Sequence, residues 1–259
     1  MRLGRIASPD GVAFVAIEGQ DAEAVVREIA EHPFGTPTFT GRQWPLADVR
    51  LLAPILASKV VCIGKNYAGH VDEMGGERVE NPIIFIKPNT AIVGPNAPIM
   101  LPADANPVHH EGELAAVIGR PCKDVPASRA AENILGYTVA NDVTARDQQR
   151  QDGQWTRAKG HDTFCPVGPW IATDVDPSDL DIRTEVNGEV RQHSRTSMMI
   201  HDVGGIVEWI SAVMTLLPGD LILTGTPEGV GPIEDGDTVS ITVEGIGRLT
   251  NPVVRKGKS

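Results

Sequence analysis

A chain of 259 residues with 41% hydrophobic and 22% charged content has the apolar mass for a sizeable core, without the bias of a disordered or repetitive protein. The net charge of −11 argues against a nucleic-acid partner, which needs concentrated Lys and Arg, and no apolar run approaches the roughly 20 residues that cross a bilayer. The first residues lack the apolar stretch of a secretory signal, and Cys62, Cys122 and Cys165 have no CxxC spacing, so the chain reads as cytoplasmic with three reduced thiols.

The N-terminal pattern predicts strands from Leu3 to Ile6 and from Val12 to Ile17, joined by a Ser8-Pro9-Asp10-Gly11 turn. Asp21 then caps an expected helix with Ala24, Val25, Ile29 and Ala30 on one face, and a loop is expected from Pro33 to Pro45. This outlines a small α+β accessory unit over residues 1–55, ahead of a larger domain over 56–259. Further strands are expected at Val60 to Ile63, Ile83 to Lys87, Glu113 to Ile118, Tyr137 to Ala140, Arg183 to Val186, Asp220 to Thr224 and Thr238 to Val243. One helix is clear: Val203, Ile206, Val207, Ile210, Val213, Met214 and Leu217 repeat at helical spacing after an Asp202 cap. Strands outnumber helices without regular alternation, so a β-dominated α+β domain is expected rather than a doubly wound sheet.

Three segments carry candidate chemistry. Glu111 and Glu113 fall on one face of an expected strand, and Asp142 ends another. Like charges so close repel unless one is protonated or a cation sits between them, and an all-oxygen set suits Mg²⁺ or Mn²⁺, with Ca²⁺ a further option. A Glu-x-Glu pair alone is ordinary on a strand face, and His109-His110 lacks the His-x-His spacing of a His-rich metal site. In the second segment, His70 and Glu73 share a helix face at i,i+3, the arrangement of a carboxylate-oriented general base. Gly75-Gly76 and charged residues follow and suit a mobile lid. The third, Thr224-Gly225-Thr226-Pro227-Glu228-Gly229-Val230-Gly231, lacks the ending of a Walker loop and suits a turn offering backbone N–H groups and the Thr226 hydroxyl to a carboxylate. Arg146, Gln149 and Lys159 are further candidates. On an acidic protein, such local cations are needed to capture an anionic substrate.

Together these segments resemble the fumarylacetoacetate hydrolase family. The resemblance rests on Ile63 to His70, Pro82 to Pro88, Glu111 to Leu114, Ala140 to Asp147, Lys159 to Pro169 and Thr224 to Gly231, and it runs from about Lys59 to Val254. It implies a mixed β-sandwich roll, usually a homodimer, with Mg²⁺ or Mn²⁺ held by Glu111, Glu113 and Asp142. It further implies a His70–Glu73 dyad on a lid, with Lys159 and Gln149 at the substrate's oxo and carboxylate oxygens and Thr226 at a carboxylate. The N-terminal segment looks like that of single-domain bacterial members. His161 departs from the family pattern, which leads one to expect Ser-Phe where Gly160-His161 stands.

The chemistry expected is enolisation of a small 2-oxo or 2-hydroxydienoate dicarboxylic acid, most simply isomerisation of the 2-hydroxyhepta-2,4-diene-1,7-dioate type in aromatic-acid catabolism. Acylpyruvate hydrolysis and oxaloacetate decarboxylation would use the same parts. A non-catalytic metal- or ligand-binding module is the reading from another class.

Overall fold

The computed structural model describes residues 1–19, 23–75, 80–255 and 257. The N-terminal part opens with a hairpin, β1 (Arg2–Ser8) and β2 (Gly11–Glu18), whose last register pair is Ser8 with Gly11. β3 (Val25–Ile29) follows along β2, β4 (Phe39–Pro45) along β3, and β5 (Arg50–Leu51) along β1. The expected helix over Ala24 to Ala30 is therefore a strand, and the expected loop ends in one; Asp21 lies outside the described residues. The physical reason is local. Val25, Val26 and Ile29 are β-branched and stiff at χ1, and the free edge of β2 gives their backbone a ladder to join. Glu28 is fixed in that ribbon by Arg42, whose Nε and Nη2 both lie 2.5 Å from its carboxylate oxygens.

The middle of the chain contributes β6 (Val60–Gly64), α1 (Ala68–Glu73), β7 (Ile83–Lys87), β8 (Ile92–Val93), β9 (Ile99–Leu101) and β10 (Val108–His110). Then come β11 (Gly112–Ile118), β12 (Ile134–Asn141), β13 (Thr144–Ala145), α2 (Arg146–Asp152), α3 (Thr156–Lys159) and β14 (Cys165–Ala172). The last part holds β15 (Asp181–Val186), β16 (Glu189–Arg195), α4 (Val203–Val213) and β17 (Leu221–Leu223). It ends with β18 (Gly231–Pro232), β19 (Thr238–Val243) and β20 (Gly247–Arg255). The Asp202 side chain caps α4 by accepting from the Gly205 amide at 2.7 Å. That helix stops at Val213, short of Met214 and Leu217, because Leu216 leaves it to bridge Cys122 through two backbone hydrogen bonds of 3.0 Å.

A twelve-stranded sheet runs β4-β3-β2-β1-β14-β12-β11-β17-β6-β7, with β5 on β1 and β8 on β14. It is mixed, since β17 with β6 and β14 with β8 are parallel. A five-stranded sheet, β16-β15-β19-β20-β9, packs across it, and a small sheet joins β13, β10 and β18. The N-terminal ribbon is continuous with the large sheet through Arg2 and Leu3 of β1, opposite Ala172 and Ile171 of β14.

β11 lies at the centre and is buried throughout. Leu114, Ala116 and Ile118 face the core shared with Ile182, Val239 and Ile241 of the smaller sheet. Ala115 and Val117 face a second core with Val60, Cys62, Val167 and Leu223. A strand covered on both faces explains why its sequence is a continuous apolar run rather than an alternating one. Each fully buried large aliphatic side chain contributes about 1.5–3 kcal/mol. Polar residues are admitted only where this strand begins.

Candidate active site

The start of β11 and the end of β12 meet at one edge of the core. Register sets Gly112 against Asn141 and Glu113 against Ala140, and the Asp142 amide donates to the Glu111 carbonyl at 2.9 Å. Residues of alternate parity then share a face, so Glu111, Glu113 and Asp142 project together. One ligand oxygen from each lies within 4.8 Å of the others, and all three side chains are buried.

Three buried cations answer them. Lys159 Nζ lies 3.0 Å from Glu111, 2.7 Å from Asp142 and 2.7 Å from the Thr144 hydroxyl. Arg146 Nη2 is 2.5 Å from Glu111 Oε1. Lys87 Nζ donates to Asp142 Oδ1 at 2.5 Å and to the Val143 carbonyl at 3.2 Å. Burial alone would raise Glu111, but Lys159, Arg146 and His70 hold it below the usual carboxylate range. Burial alone would lower Lys159, but Asp142 and Glu111 hold it above the usual amine value. Glu113 is different. The Gly225 amide donates to its Oε2 at 2.6 Å, and burial together with Asp142 and Glu111 pushes it well above the usual range. A carboxylate poorly compensated among like charges, beside two others with convergent oxygens, fits a hard divalent cation.

The surrounding cavity measures about 240 Å³. His70, Glu111, Glu113, Asp142, Arg146, Gln149, Lys159 and Thr226 all line it. Gln149 Oε1 accepts from Arg146 Nη1 at 3.0 Å. Phe85, Trp155, Ile63, Val71 and Met74 form an apolar wall, with Phe85 and Trp155 edge to face at 5.2 Å and Lys159 Nζ 5.0 Å from the Phe85 centroid. Burial lowers the His70 imidazole, with Glu111 opposing. His70 Nδ1 sits 3.7 Å from Glu73 Oε2, whose carboxylate accepts from the Gly229 amide at 3.0 and 3.2 Å. Residues 76–79 of the expected lid lie outside the described residues.

The glycine-rich turn is placed as a support. Gly225 adopts φ +100°, and a Cβ there would lie 2.7 Å from Asn66 Cβ, so only glycine brings the amide to Glu113 without strain. The Thr226 hydroxyl donates to the Gly112 carbonyl at 2.9 Å and accepts from Gln192 Nε2 at 2.7 Å. His161 is not among the cavity's lining residues; its ring packs edge on against Phe164 and its Nε2 lies 2.7 Å from Gln148 Oε1. His110 is likewise outside, with Nδ1 3.2 Å from Gln192 Oε1, and burial pushes both His109 and His110 down to about 4. All three cysteines are free and buried.

The family model described as fumarylacetoacetate (FAA) hydrolase C-terminal matches residues 59–254. The chain belongs to the fumarylacetoacetate hydrolase family. A second model, described as Rv2993c-like, N-terminal, matches residues 1–54. The structure of a 5-carboxymethyl-2-hydroxymuconate delta-isomerase from Mycobacterium smegmatis is 79% identical, covers 99% of this chain and 100% of its own, and superposes with a TM-score of 0.95. That of a 2-hydroxyhepta-2,4-diene-1,7-dioate isomerase from Mycobacterium marinum is 77% identical over 100% of both chains, with a TM-score of 0.94. The oxaloacetate tautomerase Fahd2a of Rattus norvegicus is 42% identical over 81% of this chain and 71% of its own. Relatives of this kind are enzymes, and so is this fumarylacetoacetate hydrolase family member.

Several residues that build this family member's site are not among the candidates drawn from its sequence. Lys87 is fully buried, and the signal was present: a cation ending the run Ile83-Ile84-Phe85-Ile86 needs a buried carboxylate partner. Asn66 bridges two loops, donating to the Thr224 and His201 carbonyls at 2.7 and 2.9 Å and accepting from the His201 amide at 2.8 Å. Gln192 reaches in from β16 to accept from the Gly112 amide at 2.9 Å and donate to the Pro227 carbonyl at 2.8 Å. Nothing in its own neighbourhood in the sequence marks it, because the contact depends on how two sheets pack.

Proposed function

We propose that this protein is a divalent-metal-dependent isomerase of the 2-hydroxyhepta-2,4-diene-1,7-dioate type, with Mg²⁺ or Mn²⁺ held by Glu111, Glu113 and Asp142. The observation that carries the reading is the convergence of three buried carboxylates on a cavity that also holds a lowered histidine. When bound, a divalent cation supplies Lewis-acid polarisation of a 2-oxo or enol oxygen and its carboxylate. Lys159 adds positive charge beside that oxygen, where negative charge develops. His70, oriented by Glu73, moves the proton between the 2-hydroxyl oxygen and the far diene carbon, so that the dienol becomes the 2-oxo-3-ene. Arg146, steadied by Gln149, holds Glu111 in position. Counting charge supports a dianionic substrate. Three buried carboxylates match three buried cations, so adding a divalent cation leaves two positive charges for two carboxylates on the ligand.

The wider reading is a cytoplasmic homodimer in aromatic-acid catabolism, with residues 1–55 as an accessory unit to the catalytic part over 56–259. Two separate family models, meeting between residues 54 and 59, support the division. The names of the two mycobacterial structures support the dioate substrate. Among the described residues no helix is long and apolar enough to cross a membrane. A second reading, tautomerisation of oxaloacetate, is favoured by the 42% identity to the rat tautomerase.

The test is ultraviolet absorbance of hydroxydienedioates, acylpyruvates and oxaloacetate with Mg²⁺, then with chelator. Loss of the dienedioate chromophore that stops with chelator is the expected result. Turnover confined to acylpyruvates or oxaloacetate rejects the isomerase, and binding without turnover points to a non-catalytic module.

The sign of the pH dependence follows from His70. A base works unprotonated, and burial lowers this imidazole, so its neutral form persists as the pH falls through the ordinary value of 6.5. Initial rates across pH should show kcat/KM flat through 6.5 and falling only below it. His70→Asn should cost about 10²–10⁴-fold in kcat and remove that acidic limb.

A further inference from the structure

Arg150 stands apart from the other cations of the cavity. Arg146, Gln149 and Arg150 are spaced i, i+3, i+4 on α2, so they share one helix face, and all three line the cavity. Arg146 and Lys159 are deep and paired with Glu111 and Asp142. The acids near Arg150 on its own helix are engaged elsewhere. Asp147 accepts from the Asn106 and Gln148 amides at 3.1 and 2.9 Å, and Asp152 pairs with Arg157 at 2.5 Å. Among the described residues Arg150 has no ion pair, and its side chain is exposed at the cavity mouth.

The cavity is thus polar at both ends and apolar between. At the floor are the carboxylates with Lys159; along the wall are Phe85, Trp155, Ile63, Val71 and Met74; at the mouth is Arg150. The wall is closed tightly, since a Cβ on Gly64 would lie 2.6 Å from Trp155 Cζ3. Four residues of helix separate Arg150 from Arg146 by about 6 Å along the axis. An extended seven-carbon dioate has six C–C bonds of about 1.5 Å, a zigzag of roughly 7.5 Å between its carboxyl carbons. With its 2-oxo acid end at the floor, such a ligand brings its far carboxylate to the level of Arg150.

We propose that Arg150 is the specificity residue that receives the distal carboxylate of a long 2-oxo dicarboxylate. This rests on the reading of the floor as the 2-oxo acid site, and it separates six- to seven-carbon dioates from four-carbon ones, whose second carboxylate stays near the floor. Lys65 lines the same cavity and is the rival for this role.

The test measures Kd by calorimetry on the full chain with Mg²⁺, for 2-oxoheptanedioate, for 2-oxoheptanoate (the same chain ending in methyl) and for pyruvate. The parent should prefer the diacid by about 10–100-fold, the worth of one hydrogen bond to a charged group. Arg150→Gln should bring that ratio near one while leaving pyruvate affinity unchanged, which also reports an intact floor. Arg150→Lys should keep part of the preference. An unchanged ratio in Arg150→Gln, no preference in the parent, or loss of the preference in Lys65→Gln alone overturns the proposal. None of these readings depends on turnover, so failure of the isomerase reading is recorded separately, as absence of dienedioate conversion.

Discussion

Glu113→Gln should melt no lower than the parent in the absence of metal, yet lose its thermal response to Mg²⁺ or Mn²⁺ and at least about 100-fold in kcat/KM, a loss that even an outer partner of a metal site can cause. The two halves of this expectation come from one fact. Glu113 is buried against two other carboxylates and accepts from the Gly225 amide, so in the metal-free protein its charge is a burden. A neutral amide of the same shape relieves the repulsion and removes a ligand oxygen. Thermal melts with and without metal, beside initial rates, check both. A metal-induced rise in Tm equal to the parent's would remove Glu113 from the ligand set.

Lys87→Met should do the opposite to stability. Lys87 Nζ is enclosed between Asp142 Oδ1 and the Val143 carbonyl, and an apolar replacement leaves Asp142 short of one of its two cations. Breaking a buried pair from one side costs about 3–5 kcal/mol. For a chain of this size that lowers Tm by roughly 10 °C. Melts of the metal-free protein measure it, and Lys87→Arg does not serve as a conservative control, because a planar fork does not fit a point-charge site. A Tm within a degree or two of the parent would mean that Asp142 is satisfied by Lys159 alone.

The different legibility of these residues in the sequence has physical causes. β11 and β12 could be read because a strand buried on both faces is a continuous apolar run, and a carboxylate at its end stands out. Glu111, Glu113 and Asp142 were visible as candidates for that reason, and their convergence follows from the register. Lys87 was visible as an anomaly but lay inside a stretch already explained as a strand. Gln192 and Asn66 were not visible, since their partners are 80 and 158 residues away along the chain. The helix expected over Ala24 to Ala30 failed because amphipathic spacing in so short a run is ambiguous. The unpaired edge of β2 decided the matter. Arg150 could not be distinguished from a surface arginine until α2 was seen to turn one face to the cavity.

Glu73 is tethered by a backbone amide. Gly229 holds φ +90°, and a Cβ there would collide with the Arg191 carbonyl, so the turn that presents this amide is restricted to glycine. The attachment of α1 to the site's rim is therefore written in main-chain shape and is indifferent to the chemistry of neighbouring side chains. Descendants of this sequence can exchange two wall residues, Val71 of α1 and Met74 just after it, and so drift from one keto acid to another, without having to reinvent the latch.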